Sequence, residues 1–287
     1  MSLRGILSSI LPSQVKQLFI TFLQKCGELT CNIRLRPSFI IIGAQRCGTS
    51  SLYHYLSGHP LIAPALNKEI HFFDINYHHG LDWYHGHFPL QLVSRLRAGL
   101  ITGEASPYYM FYPHTAQRIF EAFPSIKLII LVRNPADRAY SHYYHERRLG
   151  IEHLTFEEAI SKEDERLDGE QEKILADGSY SSFNHQHFAY ISKGIYFDQL
   201  HQWFNSFPRQ QLLVLKSEDL FSKPQKITNE VLDFLEIPHW TPRQFVNLNS
   251  LQYPEMTGST RNRLLDFFKP HNQMLFEFLG ADFGWDT

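Results

Sequence analysis

The stretch GAQRCGTS, from Gly43 to Ser50, decides the fold. It follows SFIII at residues 38–42, an apolar run typical of a buried strand, and it precedes SLYHYLSG at residues 51–58, a predicted helix. A glycine loop between a strand and a helix aims backbone N–H groups at a phosphate-sized anion. The glycines have the spacing of G-x-x-x-x-G-K-[ST], but Thr49 stands where that motif has its lysine.

The missing lysine narrows the kind of anion that the loop can bind. In nucleotide triphosphatases this lysine contacts the β- and γ-phosphates, and the next Ser or Thr holds magnesium. Here the basic residue is Arg46, inside the loop. This arrangement suits a shorter anion approached from the loop side and argues against ATP or GTP hydrolysis. A purely structural glycine connection is the alternative at this point.

Composition sets broad limits on the class of protein. The chain has 287 residues with 43% hydrophobic content, enough for one large α/β domain or two small ones. A net charge of −2 does not suggest a general nucleic-acid binder. The three cysteines, Cys26, Cys31 and Cys47, form no recognisable disulfide framework and favour a reducing compartment. We therefore expect a cytoplasmic protein.

Apolar strands alternate with helices along the chain, which predicts an α/β class protein with a three-layer, P-loop-like fold and a mostly parallel central sheet flanked by helices. The predicted strands are residues 38–42, 101–109, 127–132 and 211–220. The predicted helices are residues 113–122, 135–150, a helix opened by the capping box Thr155 to Glu158, 194–207, 224–236, and 259–279 with an interruption near Pro270.

The chain divides into an N-terminal extension, residues 1–36, and a single domain, residues 37–287. Within residues 14–25 an apolar stripe repeats at helical spacing, which favours an amphipathic helix that packs on the domain, with a peripheral membrane contact as the alternative. The stripe consists of Val15, Leu18, Phe19, Phe22 and Leu23. Residues 161–182 are charged and contain glycine. We expect a mobile, solvated loop there, with an acceptor lid as the alternative.

The segment LVRNPADRAYSHYY contains a second candidate anion site. Arg133 ends a predicted strand, at the edge where ligands of open α/β sheets bind. Asn134 caps the following helix, which has Pro135 at its first position, and Ser141 lies two turns into it. The guanidinium and the hydroxyl would bind a second anion, some distance from the first loop. Ordinary surface roles for both residues are the alternative.

The segment NKEIHFFD, residues 67–74, contains a candidate base. Glu69 and His71 precede two phenylalanines, and Asp74 follows them. A carboxylate beside apolar rings can have its pKa raised and act as a general base. A solvated glutamate on a loop is the alternative.

Together these segments resemble the sulfotransferases that use 3′-phosphoadenosine 5′-phosphosulfate (PAPS). The resemblance is closest to the carbohydrate branch typified by the heparan sulfate N- and 3-O-sulfotransferases, and it covers about residues 38–287. GAQRCGTSSL resembles the family's 5′-phosphosulfate loop, LVRNPADRAYSHYY its 3′-phosphate motif, and NKEIHFFD its base-bearing segment. Further similar segments are GLDWYHGHFP, GEASPYY, GIYFDQLHQWFNSFP and YPEM with the terminal FKPHNQMLFEFLGADFGW.

The resemblance implies a role for each candidate residue. Arg46 would stabilise the charge that develops on the oxygen between phosphate and sulfate. Arg133 and Ser141 would hold the 3′-phosphate. Glu69 would take the proton of the acceptor, and His71 would orient it or the acceptor. The 5′-phosphate would bind the backbone and hydroxyls of Cys47, Gly48, Thr49, Ser50 and Ser51. No metal is implied.

The chain departs from the family pattern in three places. Arg46 replaces a lysine, and Glu104 and Ala105 stand where the heparan enzymes have a basic residue. FVNLNSLQYPEM replaces the family's Lys-Gly-Arg segment, so Arg261 or Arg263 would take over its phosphate contacts.

The loss of basic positions bears on the acceptor and on the competing functions. It implies a neutral or weakly charged acceptor: a glycan, a glycolipid or a small hydroxylated metabolite. The competing interpretations are a nucleotide kinase with magnesium and ATP, and an inactive binder of the desulfated product PAP.

Overall fold

The computed structural model describes residues 22–248 and 252–285. Its centre is a five-stranded sheet with the order β2-β3-β1-β4-β5, in which all neighbouring strands are parallel. The strands are β1 Phe39–Gly43, β2 Ile62–Pro64, β3 Ile101–Ala105, β4 Lys127–Val132 and β5 Leu212–Lys216. The predicted α/β fold with a mostly parallel sheet and flanking helices is confirmed.

Helices cover both faces of this sheet, which explains why the central strands are continuous apolar runs. Every residue of β1 is buried, and so is β4 beyond its first residue. β1 pairs with β3 on one side and with β4 on the other, so that Ile40 lies between Glu104 and Leu128. The carboxyl ends of these three strands therefore meet at one edge of the sheet.

The helices of the described residues, besides a helical segment at 22–29, are α1 Thr49–Ser57, α2 Gly80–His85, α3 Leu92–Leu96, α4 Thr115–Ala122, α5 Pro135–Arg148, α6 Phe156–Ser161, α7 Glu163–Leu167, α8 Glu170–Ala176, α9 Phe183–His187, α10 Tyr196–Ser206, α11 Ser217–Ser222, α12 Pro224–Phe234 and α13 Gly258–Leu279. Two predicted helix starts are confirmed. The Asn134 side chain accepts a hydrogen bond from the Ala136 N–H at the start of α5, and Thr155 and Glu158 form the capping box of α6.

The prediction of a mobile loop at residues 161–182 is wrong. The segment folds into α7 and α8, and two of its charged side chains, Glu163 and Glu170, are buried. The two oxygens of Glu163 accept hydrogen bonds from the N–H groups of Ile191 and Ser192, and Ile174 is fully buried. Backbone N–H groups far along the chain thus stabilise a segment whose composition resembles a loop.

Three boundaries differ from the sequence prediction. The strand predicted over 211–220 ends at Lys216, where α11 begins, and the strand predicted over 101–109 ends at Ala105. α13 runs through Pro270 without the expected interruption. β2 was not predicted, because three residues are too few to show a period.

The N-terminal extension is described only from residue 22 onward. Residues 22–29 are helical, and the backbone of Gly27 lies against that of Gly86, where a Cβ would sit 2.3 Å from the Gly86 carbonyl oxygen. Most of the predicted stripe lies outside the described residues; within it, Phe22 is 61% exposed. No helix in the described ranges is long and apolar enough to cross a membrane.

Candidate active site

The loop after β1 forms one wall of a cleft at the carboxyl edge of the sheet. Gly48 is the residue before α1 and has a φ of 88°, a left-handed conformation that favours glycine. A Cβ at this position would meet the Phe221 ring at 3.0 Å. The first turn of α1, with Thr49 and Ser50, therefore directs its N–H groups and its positive dipole end into the cleft.

Two residues predicted to hold the 5′-phosphate have other partners in this structure. Ser51 is fully buried, and its hydroxyl accepts a hydrogen bond of 2.9 Å from the Leu248 N–H. The Cys47 N–H donates to the Ala44 carbonyl at 3.2 Å, and the thiol is buried near the Tyr196 hydroxyl. Burial raises the pKa of this thiol. Ser51 and Cys47 thus support the loop, whereas Thr49 and Ser50 face the cleft.

The second wall comes from the end of β4 and from α5. Arg133 and Ser141 line the cleft, as does His145, one turn beyond Ser141. The Arg133 guanidinium donates to the Arg46 carbonyl at 3.5 Å. The capped start of α5 fixes this wall, because Asn134 also donates its backbone N–H to Glu218 at 2.9 Å.

Arg46 connects the two predicted anion sites, which lie closer together than expected. Its Nε donates to Ser141 Oγ at 3.2 Å, and its Nη1 lies 3.4 Å from His145 Nδ1. Burial, chiefly, lowers the pKa of Arg46. A desolvated guanidinium between a helix start and two hydrogen-bonding side chains suits an anion, because the charge is little screened there.

Three predicted catalytic residues share an unusual backbone conformation. Among the described residues, four that are not glycine have a positive φ, and Arg46 (70°), Glu69 (60°) and His71 (54°) are three of them. Such conformations cost free energy and concentrate at functional sites, where surrounding contacts hold them.

The predicted direction of the Glu69 pKa is wrong. Burial raises it, but hydrogen bonding and charge from His71 and Lys68 outweigh burial and lower the pKa to about 2. Glu69 Oε2 lies 3.8 Å from His71 Nε2, and Lys68 pairs with the other oxygen. Nearby cations rather than apolar rings thus set the charge of Glu69, which is ionised at neutral pH.

His71 lies between two carboxylates. Its Nδ1 is 2.7 Å from Asp74 Oδ2, and the Asp74 side chain is fully buried. Burial lowers the pKa of His71, but Asp74 first and then Glu69 outweigh burial and raise it to about 10. The imidazolium is thus placed to orient Glu69, one of the two roles that the resemblance implies, and it keeps Glu69 ionised.

Glu104 supports the segment that carries Glu69 and His71, and the sequence did not reveal this role. The fully buried carboxylate accepts hydrogen bonds from Tyr84 (3.1 Å), Tyr109 (3.0 Å) and Ser106 (2.7 Å). The Ser106 oxygen accepts from the His71 N–H at 3.2 Å, and the Tyr109 oxygen accepts from the Phe72 N–H at 2.8 Å. A carboxylate in the otherwise uncharged strand ITGEA was the signal that could have revealed it.

The cleft has a volume of about 360 Å³. It brings together most of the predicted site residues and adds several that were not predicted. Its lining residues are Gln45, Arg46, Gly48, Thr49, Ser50, Glu69, Pro107, Arg133, Ser141, His145, Phe221, Asn247, Leu248 and Tyr253.

Arg261 is outside the cleft lining and pairs with Asp137 at 2.5 Å, and Arg263 is exposed on the surface of α13. The phosphate contact expected of one of them stays a prediction. Within residues 22–248 and 252–285, no three or more His, Cys, Asp or Glu side chains are grouped to hold a metal ion.

Known proteins are similar to this chain in sequence and in fold. The Sulfotransferase domain family matches residues 36–266. The chain is 30% identical to the membrane-associated sulfotransferase kil1 of Dictyostelium discoideum, over 91% of this chain and 68% of that protein. It is 31% identical to human heparan sulfate glucosamine 3-O-sulfotransferase 3B1, over 87% of this chain and 65% of that protein. It thus spans about two thirds of the length of these relatives.

A solved structure agrees with these sequence matches. The crystal structure of a sulfotransferase from Alicyclobacillus acidocaldarius superposes with a TM-score of 0.67 at 33% identity, and the match covers 88% of this chain and 99% of that one. Since the family match, the curated relatives and the solved structure agree over most of the chain, the chain belongs to the sulfotransferase family and is a sulfotransferase enzyme.

Proposed function

We propose that the chain transfers the sulfuryl group of PAPS to a hydroxyl or amine of a carbohydrate-like or small hydroxylated acceptor. The observation that carries this proposal is the joint lining of one cleft by two arginines, the start of α1 and an ionised carboxylate. The cations and N–H groups suit the two anionic ends of the donor, and the carboxylate suits the proton of an acceptor.

On the donor side, Arg133 and Ser141 hold the 3′-phosphate, which distinguishes PAPS from ATP. Thr49 and Ser50 hold the 5′-phosphate at the start of α1. Arg46 exchanges its contact with Ser141 for the oxygen between phosphate and sulfur. It then stabilises the negative charge that this oxygen gains as its bond to sulfur breaks.

On the acceptor side, Glu69 accepts the proton. The acceptor oxygen or nitrogen forms a bond to sulfur, the bond from sulfur to the phosphate oxygen breaks, and PAP leaves. With a pKa of about 2, Glu69 is always ionised near neutral pH but is a weak base. Proton transfer is therefore late, when the forming bond to sulfur has already made the acceptor proton acidic.

Labelled transfer tests this function. Wild-type protein is incubated with ³⁵S-labelled PAPS and a mixed panel of neutral glycosides, glycolipids and phenols. We expect labelled product without added magnesium, and at least ~10²-fold less of it with Glu69→Gln. Label transfer from γ-³²P ATP with magnesium, in place of transfer from PAPS, would contradict the proposal and favour a kinase.

A further inference from the structure

A second cavity, of about 800 Å³, opens beside the catalytic cleft. Ser50 and Leu248 line both spaces. Lys68, which pairs with Glu69, also lines the second cavity. The cavity therefore lies beside the phosphate loop and beside Lys68, the neighbour of the predicted base. Since a sulfuryl transfer needs two ligands that meet at the transferred group, a cavity that shares lining residues with the catalytic cleft is placed to hold the second ligand.

The far wall of this cavity, residues 240–248, is fixed to α1. Trp240 lies over Gly58, where a Cβ would be 2.6 Å from the indole ring. The Tyr55 hydroxyl donates to the Val246 carbonyl at 3.0 Å. The Tyr55 ring packs edge-on against the Phe245 ring, with 4.9 Å between the ring centroids. These contacts give the cavity a preformed aromatic wall, which suits a ligand with a rigid apolar surface.

The two spaces differ in chemistry. Arg46, Arg133 and hydroxyl groups line the catalytic cleft, whereas aromatic and aliphatic side chains dominate the second cavity. Its lysine and arginine lining residues are Lys68 and Arg243, and Lys68 already pairs with Glu69. A polyanionic chain needs a series of cations to bind, because each anionic group must exchange its hydration for a charged partner.

We propose that the second cavity binds the non-reacting body of the acceptor, and that the acceptor is therefore a neutral hydroxyl compound with an aromatic or alicyclic body. This inference rests on the proposed function, and it narrows the acceptor class. The apolar body packs against Trp240 and Val246. Its hydroxyl group points past Ser50 toward Glu69.

Binding of 2-naphthol in the presence of saturating PAP tests the inference. We expect wild-type protein to bind 2-naphthol and Trp240→Ala to bind it about tenfold more weakly, because an aromatic packing surface is lost. Phe267→Ala is the control; this side chain is 45% exposed on α13 and lines neither space. Val246→Glu, at a position 37% exposed, provides a second variant that should fold and should also weaken 2-naphthol binding.

Several results would overturn the inference. Unchanged 2-naphthol affinity in both variants would place the probe elsewhere. An equal loss of PAP affinity in Trp240→Ala would assign the cavity to the adenine of the donor. Tighter binding of a sulfated octasaccharide than of 2-naphthol would assign the cavity to a polyanion. In each of these cases PAP still binds the wild type; absence of PAP binding would instead refute the proposed function.

Discussion

The loop at residues 43–50 and the loop at residues 67–74 place side chains in the same cleft but are held in different ways. Backbone contacts and a buried hydroxyl hold the first: the Ala44 N–H donates to the Leu131 carbonyl at 2.7 Å, the Ser217 hydroxyl donates to the Cys47 carbonyl at 2.7 Å, and Gly48 starts α1. A network of side chains holds most of the second: Tyr109 and Ser106 accept its N–H groups and bind Glu104. The first loop thus continues the sheet into α1, whereas the second loop depends on a buried polar network.

The largest expected effect is loss of the base. Glu69→Gln keeps the shape of the side chain but cannot accept the proton, so we expect kcat to fall by ~10²- to 10⁴-fold. PAP affinity should stay within about twofold, since the proposed role of Glu69 concerns the acceptor. Steady-state transfer and PAP titration measure the two effects. A variant that loses PAP binding instead would place Glu69 on the donor side.

The next effect concerns charge at the leaving group. Arg46→Ala should lower kcat by ~10²- to 10³-fold, because the developing negative charge loses its partner. Arg46→Lys is the matched control and should recover most of the rate, since it keeps the positive charge in the loop. Equal activity in the alanine variant would show that α1 alone stabilises the leaving group.

A smaller effect is expected for Glu104, which positions the loop of Glu69 but takes no part in the proposed proton transfer. Glu104→Gln keeps a buried polar group, but an amide binds the three surrounding hydroxyls less well than a carboxylate. We expect kcat to fall by about tenfold through displacement of the base-bearing loop, with PAP affinity unchanged. Transfer assays with saturating acceptor measure this. Loss of PAP affinity would mean that the hydrogen-bond network of Glu104 also supports the loop at residues 43–50.

Glu104 also gives a pH dependence of stability. Burial raises its pKa from 4.5 to about 7, outweighing the hydrogen bonds from Ser106, Tyr109 and Tyr84. The folded state thus binds the proton more tightly than the unfolded chain, and this group makes stability fall as pH rises from 4.5 to 7. Denaturant unfolding at pH 5 and pH 8 should show a larger decrease for the wild type than for Glu104→Gln, by roughly 1–3 kcal/mol. Equal decreases would contradict the raised pKa.

The smallest effect is expected for Asp74→Asn, which removes one charge and leaves the contacts at the cleft surface unchanged. In Asp74→Asn, His71 loses the carboxylate that contributes most to its raised pKa. NMR titration of the His71 ring should give a pKa of about 10 for the wild type and a clearly lower value for the variant. Identical titrations would show that Glu69 alone holds the imidazolium.

The same contrast explains what the sequence could predict. β1 and β4 are apolar runs, and Asn134 with Pro135 marks the start of α5, so the two walls formed by the loop after β1 and by the end of β4 with α5 follow from local patterns. The state of Glu69 depends on distances to His71 and Lys68 that a left-handed backbone sets. The direction of the Glu69 pKa shift therefore could not be predicted from the sequence.

The helices at residues 161–182 show the same limit. Their composition resembles a solvated loop, but Glu163 is stabilised by N–H groups 28 and 29 residues further along the chain. Hydrogen-bond partners that far apart in the sequence leave no local periodicity or motif from which the helices could be predicted. Arg261 illustrates the converse: the missing Lys-Gly-Arg segment suggested a phosphate contact for it, whereas the structure pairs it with Asp137.

Calorimetric titration with PAP tests the central claim most directly, namely that Arg133 and the loop at residues 43–50 bind the donor and that Glu69 acts on the acceptor. We predict that wild-type protein binds PAP more tightly than ATP with magnesium. Arg133→Ala should weaken PAP binding by ~10- to 100-fold through loss of charge-assisted hydrogen bonds, and Glu69→Gln should leave it unchanged. Tighter binding of ATP, or equal PAP affinity in Arg133→Ala, would contradict the account.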